Sequence, residues 1–157
     1  IKMSNYHDGN ISEVLWDAYC STVVTFKDDE KRNLKIVPTA GMSGRWVDGS
    51  EIHEIFIVSA ANPYSEKLPD DANLKSERMM KAEFDRYKFK YRNCQGQSPD
   101  GRWVERSFMV FNAPLEAIRQ IGDIYLQNAI FRWTPHSWEC ISLVSDQHFV
   151  TGWKIES

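Results

Sequence analysis

The run IFIVSA at residues 55–60 constrains the fold of this chain more than any other sequence feature. Six consecutive residues without a charged side chain are typical of a strand that is buried on both faces. One residue after the run comes Asn62-Pro63, and a residue before proline avoids helical geometry. We therefore predict a central strand at 55–60 that ends in a sharp change of direction.

The elements around this strand follow a regular order. Periodicity and turn residues predict the following segments: strands at 21–26, 34–37, 55–60, 89–94, 103–111, 129–133, 138–143 and 149–155, and helices at 72–87 and 115–125, after a short first helix. From residue 55 to residue 133 the order is strand, helix, strand, strand, helix, strand, as in a ferredoxin-like βαββαβ core. We therefore predict an α+β fold: a two-layer sandwich with a mostly antiparallel sheet, extra flanking strands and helices on one face.

Length and composition favour one ordered domain. The chain has 157 residues, of which 42% are hydrophobic and 26% charged, enough apolar side chains for one core. We predict a single domain over 1–157, with a flexible N-terminus at 1–10, a core at about 15–133 and C-terminal strands at 134–157. The glycine-containing segment 39–50 is expected to be a loop.

Net charge and cysteine content limit the cellular compartments and partners that we expect for this protein. Nineteen basic against 22 acidic side chains give a net charge of −3, which excludes a polycation that binds nucleic acid by charge alone. No apolar run reaches the roughly 18 residues of a membrane span. Three scattered cysteines without a C-x-x-C pair favour a reducing compartment. We expect a cytoplasmic protein without a membrane segment.

Motifs for metals and nucleotide cofactors are missing. The four histidines form no H-x-x-x-H pair, and the chain has neither a P-loop nor a G-x-G-x-x-G nor a G-x-S-x-G motif. We therefore expect no metal and no cofactor.

The segment RYKFKYR at 86–92 alternates cations with aromatic rings. On a strand, this period would place four cations on one face: Arg86, Lys88, Lys90 and Arg92. One reading is a stripe that follows the phosphates of single-stranded nucleic acid. The other, which we favour, is an amphipathic strand whose lysines discourage pairing with other sheets.

Polar residues at the ends of predicted strands are the best candidates for a site. They are Asn62 and Ser65 after the central strand, Glu105 and Ser107 with the same parity on one strand, and Gln127 and Asn128 between a helix and a strand. If these side chains converge, they could orient a ligand, and a buried Glu105 could act as an acid or base. Trp103 would then stand beside the site as a wall. The alternative is that they only satisfy backbone groups.

These residues also carry a resemblance to a known family. The stretches 59–65 (SAANPYS), 103–107 (WVERS) and 126–130 (LQNAI), together with Asn73 and the segment 15–26, resemble the uncharacterised, mainly bacterial family catalogued as domain of unknown function 3293. The resemblance spans about 15–133. It implies that Asn73 belongs to the polar set.

The chain departs from the family pattern at three positions. Ala61 replaces an aromatic residue, and Ala72 and Ser76 replace an acid and an arginine around Asn73. Arg78 or Lys75 would then supply the cation of the site.

Our leading hypothesis is a polar cleft for a small or nucleotide-like anionic ligand, with hydrolysis or group transfer as the chemistry if the protein is an enzyme. Glu105 and Ser107 would be its catalytic residues, and the ligand-binding residues would be Asn62, Ser65, Asn73, Arg78, Trp103 and Gln127. The first alternative is a protein-interaction module, such as a phage or mobile-element accessory protein that uses exposed tryptophans as anchors. The second is single-stranded nucleic-acid binding through residues 86–92.

Overall fold

The computed structural model describes residues 4–47 and 51–157. Within these two ranges the chain forms eleven strands, three α-helices and one turn of 3-10 helix at Pro63–Ser65. In chain order they are β1 (Tyr6–His7), β2 (Asn10–Ile11), α1 (Glu13–Cys20), β3 (Val23–Lys27), β4 (Asn33–Thr39), β5 (Met42–Ser43), β6 (Ile55–Val58), α2 (Asp70–Tyr87), β7 (Lys90–Gln97), β8 (Val104–Phe111), α3 (Leu115–Ile124), β9 (Ala129–Thr134), β10 (Ser137–Ser142) and β11 (His148–Glu156). Parts of two predicted segments lie outside the described residues: 1–3 of the flexible N-terminus and 48–50 of the loop.

Eight of these strands close into an antiparallel barrel. The order around the ring is β10, β9, β6, β8, β7, β3, β4 and β11, and β11 pairs back onto β10. The closing pair aligns Trp138 with Thr151 and Ile141 with His148. The short strand β5 is a ninth strand, which pairs in parallel with β11. Each strand of the ring therefore has partners on both sides.

The predicted two-layer α+β sandwich with a ferredoxin-like core is therefore wrong. The four strands assigned to that core are neighbours in the ring, but β3, β4, β11 and β10 continue the sheet until its two edges meet. The order of elements along a chain does not determine how strongly the sheet twists and coils. An open sheet and a closed barrel can therefore share the same order.

The central strand β6 has a core on each face. Ile55 and Ile57 point into the barrel, whereas Phe56 and Val58 point outward against the helices. All four side chains are buried, which confirms the prediction of a strand buried on both faces. The barrel core also contains Met109, Phe131, Trp133, Trp138 and Trp153. The outer core is formed with Met80 and Phe84 of α2 and Ile118 and Ile121 of α3.

Other segments cover the two ends of the barrel. At one end, Trp16, Tyr19 and Cys20 of α1 pack against the barrel core. At the other end, the ring of Trp46 lies 4.7 Å from the ring of Trp133. The segment expected to be a flexible N-terminus instead contains the hairpin of β1 and β2, which pair as Tyr6 with Ile11. None of the described helices is long and apolar enough to cross a membrane.

Helix α2 ends in a strained residue that a substitution can relieve. Lys88, the C-terminal cap of α2, has φ 60° and ψ 32°, a left-handed conformation that costs a residue with a Cβ about 1–2 kcal/mol. We expect Lys88→Gly to raise the free energy of unfolding by about 0.5–1 kcal/mol in urea titrations. The matched change Lys90→Gly, at the first residue of β7 and without a positive φ, relieves no strain and should lower it by up to about 1 kcal/mol. A lower free energy of unfolding in both variants would contradict this explanation.

Candidate functional site

A small polar cavity, called here the inner cavity, lies at the α1 end of the barrel. Its volume is about 30 Å³, which corresponds to about one water molecule. Six predicted site residues line it, namely Asn62, Ser65, Trp103, Glu105, Ser107 and Gln127. The other lining residues are Tyr19, Thr22, Ile57, Ser59, Gly96, Ala129 and Phe131. The structure thus brings these six predicted residues together, while their role stays a prediction.

Strand alternation explains why these polar groups meet. Glu105 and Ser107 have the same parity on β8 as Met109 of the barrel core, so all three point inward. Ser59 follows Ile55 and Ile57 on the inward face of the β6 segment. The interior of the barrel therefore changes from apolar to polar at this end.

Glu105 is the most perturbed carboxyl group of the site. Its Oε1 accepts a hydrogen bond of 2.8 Å from the Ser59 hydroxyl. In the described part of the chain, no Lys or Arg forms an ion pair with Glu105. Burial raises the pKa of Glu105 to about 7, and the Ser59 hydrogen bond opposes that rise. Such a carboxyl can exchange a proton at neutral pH.

The backbone between β6 and α2 is strained where it borders the inner cavity. Asn62, Tyr64 and Ser65 have φ values of 50°, 52° and 62°, and a left-handed residue with a side chain costs about 1–3 kcal/mol. The Tyr64 N–H donates to the Leu126 carbonyl at 2.7 Å, and the Leu68 N–H donates to Asn62 Oδ1 at 3.0 Å. These bonds hold a conformation that the segment alone would avoid.

Asn73 connects the inner cavity to a second, larger space. Asn73 Nδ2 donates to Asn62 Oδ1 at 2.8 Å, and the Asn62 N–H donates to Asn73 Oδ1 at 3.0 Å. Asn73 lines an outer groove of about 310 Å³ beside α2 and β8. The residues of this outer groove are Ala60, Ala61, Asn62, Lys67, Leu68, Asp70, Asn73, Leu74, Glu77, Val104, Glu105, Arg106 and Phe108. Asn62 and Glu105 line both spaces.

A chain of hydrogen bonds from α1 forms the opposite wall. The Tyr19 hydroxyl and Ser65 Oγ lie 2.5 Å apart, and Asn128 Nδ2 donates to Ser65 Oγ at 2.9 Å. The Tyr6 hydroxyl donates to Asn128 Oδ1 at 2.6 Å. Burial raises the pKa of Tyr19 to about 12, so its phenol stays protonated. Sequence reasoning missed Tyr19 as a site residue because α1 is distant in the chain, although 15–26 belonged to the resembling segments.

The predicted cation and the predicted cationic stripe are not found as expected. Arg78 is exposed on α2 and lines neither the inner cavity nor the outer groove. The strand over 89–94 begins only at Lys90, since α2 continues to Tyr87 and Lys88 caps it. Arg86 pairs with Glu83 at 2.6 Å on the helix, and Arg92 pairs with Asp29. The four cations therefore do not form one stripe.

Trp103, at the site, is the most exposed tryptophan of the chain. Trp103 is 44% exposed, whereas Trp138 and Trp153 are buried in the barrel core. Trp46 is partly buried and stacks edge-on against Trp133. Trp138 and Trp153 are therefore unavailable as surface anchors for a protein partner, and Trp103 is exposed beside Glu105.

Comparison with known proteins agrees with the resemblance noted above. Residues 58–130 match the model of a family described as Protein of unknown function (DUF3293), and the chain resembles that family. No curated protein and no solved structure matches the chain. The matched segment contains Asn62, Ser65, Asn73, Glu105 and Gln127, but not Tyr19. Within residues 4–47 and 51–157, no three His, Cys, Asp or Glu side chains are grouped to hold a metal ion.

Proposed function

We propose that this protein is a cytoplasmic enzyme that binds a small polar or anionic ligand and uses Glu105 as its acid and base. One observation carries the proposal: the residue with a pKa near neutrality lines both the inner cavity and the outer groove. We infer that a ligand at the border of the two spaces can reach this inward-pointing carboxyl, with a water in the inner cavity. Proton transfer by such a group typically accelerates a reaction by about 10²–10⁴-fold.

The sizes of the two spaces favour hydrolysis over transfer to a second large substrate. The outer groove, at about 310 Å³, is at the lower end of the range for ligand sites, about 300–1,000 Å³. The inner cavity, at about 30 Å³, admits little more than a water. A ligand in the outer groove would therefore have Glu105 beside it and a water behind it.

The proposed reaction is a hydrolysis with balanced proton transfers. The Glu105 carboxyl donates its proton to the leaving-group atom as the bond to that atom breaks. The water oxygen forms the new bond to the ligand, and the ionised Glu105 takes the proton that this water loses. The carboxyl is then protonated again, so the cycle needs no further reactant.

Three further features support an anionic ligand and a cytoplasmic location. Lys67 lines the outer groove and can attract an anionic part of the ligand. Arg106 also lines the groove, but its Nη1 lies 3.5 Å from Glu77 Oε2, so its charge is already paired. The exposed Trp103 offers a flat apolar surface for a ring beside Glu105. The three cysteines are free, which suits the reducing cytoplasm.

A panel of chromogenic substrates tests this proposal. Purified protein is assayed at pH 7 with p-nitrophenyl acetate, p-nitrophenyl phosphate and p-nitrophenyl glycosides, which report ester, phosphate and glycoside hydrolysis. We expect turnover of at least one substrate, and a loss of at least about 100-fold in Glu105→Gln, because the amide cannot exchange a proton.

The matched control removes an equivalent carboxyl elsewhere. Glu116→Gln changes an exposed residue in the first turn of α3 and should leave turnover within about twofold. Circular dichroism shows whether each variant is folded. Equal turnover in the wild type and in a folded Glu105→Gln variant would refute the catalytic assignment.

A further inference from the structure

The Ser59 hydroxyl has more hydrogen-bond partners than it has hydrogens. Its Oγ lies 2.8 Å from Glu105 Oε1, 2.9 Å from the Arg106 carbonyl oxygen and 3.0 Å from the Ala61 nitrogen. A serine hydroxyl has one hydrogen to donate and two lone pairs that accept. The Ala61 N–H occupies one lone pair, so two oxygen atoms compete for a single hydrogen.

The protonation state of Glu105 decides which oxygen receives it. When Glu105 is protonated on Oε1, it can donate to the second lone pair of Ser59, and the Ser59 hydrogen is free for the Arg106 carbonyl. When Glu105 is ionised, the Ser59 hydrogen is needed at Oε1, and the bond to Arg106 is lost. Each state of the carboxyl therefore has a complementary orientation of one hydroxyl.

We propose that Ser59 is a positioning residue that serves both protonation states of Glu105, by accepting from the neutral carboxyl and donating to the ionised one. The Ser59 hydrogen turns from the Arg106 carbonyl to Oε1 as Glu105 gives up its proton, and turns back when the proton returns. This role rests on the proposed function, in which Glu105 passes through both states in each cycle.

Other charged groups near Glu105 do not replace Ser59 in this role. The titratable and charged side chains that line the two spaces with Glu105 are Tyr19, Lys67, Asp70, Glu77 and Arg106. Among the described residues, none of these forms a hydrogen bond or an ion pair with the Glu105 carboxyl. Ser59 donates a hydrogen bond to this carboxyl.

Titration of the carboxyl by NMR tests this inference without any substrate. Protein labelled with ¹³Cδ-glutamate is titrated from pH 4 to pH 9, and the Glu105 signal is identified by its absence in Glu105→Gln. We expect a midpoint near 7 in the wild type. In Ser59→Ala, we expect the midpoint to rise by about half to one pH unit, because the ionised carboxyl loses the stronger, charge-assisted bond.

Two further variants separate this role from packing. Ser59→Thr keeps the hydroxyl, and its midpoint should stay within about 0.2 units of the wild type. If Ser59→Ala does not fold, Ser59→Cys keeps the side-chain length with a weaker donor, and the same upward shift is expected. A wild-type midpoint near 4.5, or no upward shift in Ser59→Ala or Ser59→Cys, overturns the inference. If the Glu105 midpoints behave as expected but Glu105→Gln keeps full turnover, only the proposed function is refuted.

Discussion

Glu105→Gln is expected to be more stable than the wild type at pH 8 by about 3 kcal/mol, while the two proteins unfold alike near pH 4. Burial raises the pKa of Glu105 from 4.5 to about 7 in the folded protein. Between these two values the unfolded chain has an ionised carboxyl and the folded protein a protonated one. Raising the pH through this window therefore favours unfolding, by about 1.4 kcal/mol per pH unit of difference in pKa.

The sign of this effect distinguishes Glu105 from an ordinary stabilising carboxyl. A carboxyl with a raised pKa contributes its full stability below about pH 4.5, and this contribution is lost as the pH rises to 7. Glutamine has no group that titrates in this range, so the variant keeps its stability as the pH rises. A residue that lowers stability at neutral pH and is nevertheless present is typical of a functional position.

Urea unfolding at pH 4, 5, 6, 7 and 8 measures this difference. Glu116→Gln is the control, since it removes an exposed carboxyl from α3 and should change stability by a few tenths of a kcal/mol at every pH. If the difference between the wild type and Glu105→Gln does not change with pH, the carboxyl ionises in its ordinary range and the proposed acid/base role loses its basis.

Trp133→Ala should destabilise the protein by about 4 kcal/mol, because it leaves a cavity in the barrel core. The Trp133 side chain has no exposed surface, and its ring lies 4.7 Å from that of Trp46 and 5.4 Å from that of Trp153. Truncation of a buried tryptophan removes its apolar burial and leaves a cavity, which costs about 3–5 kcal/mol.

Two companion variants test the cause of that loss. Among residues 4–47 and 51–157, the buried Trp133 indole N–H has no hydrogen-bond partner, and such an unsatisfied donor costs about 1–3 kcal/mol. Trp133→Phe removes this N–H and keeps a ring, so it should lose clearly less than Trp133→Ala. Trp103→Ala removes an exposed indole and should cost less than about 1 kcal/mol. Equal losses in urea unfolding at Trp133 and Trp103 would contradict the assignment of these two side chains to core and surface.

Local sequence patterns predicted most elements of the fold but not its closure. Helix α2, predicted at 72–87, spans Asp70–Tyr87, and the strand predicted at 103–111 spans Val104–Phe111. Apolar periodicity and turn residues act within a few residues, so they can indicate such segments. The pairing of β4 with β11 joins Ile36 to Ile155, and no local pattern encodes a contact of that range.

The candidate site was predictable where strand parity applied. Glu105 and Ser107 share a face of β8, and the structure places both at the inner cavity. Ser59 has the same parity as Ile55 and Ile57, so the same rule could have found it. Tyr19 reaches the cavity only because the barrel closes under α1. Arg78, included as a substitute for the family's arginine, lines neither space, because the sequence pattern does not determine which side of a helix faces the site.

The closure of the ring through β11 has a consequence for how the protein is made. During translation, β3 to β10 leave the ribosome before β11, and both of β11's partners in the ring, β4 and β10, are already present. Until β11 emerges, the nascent chain has an incomplete sheet with two unpaired edges, and such edges promote aggregation. Chaperones that shield strand edges would therefore act on this chain until β11 pairs with β4 and β10.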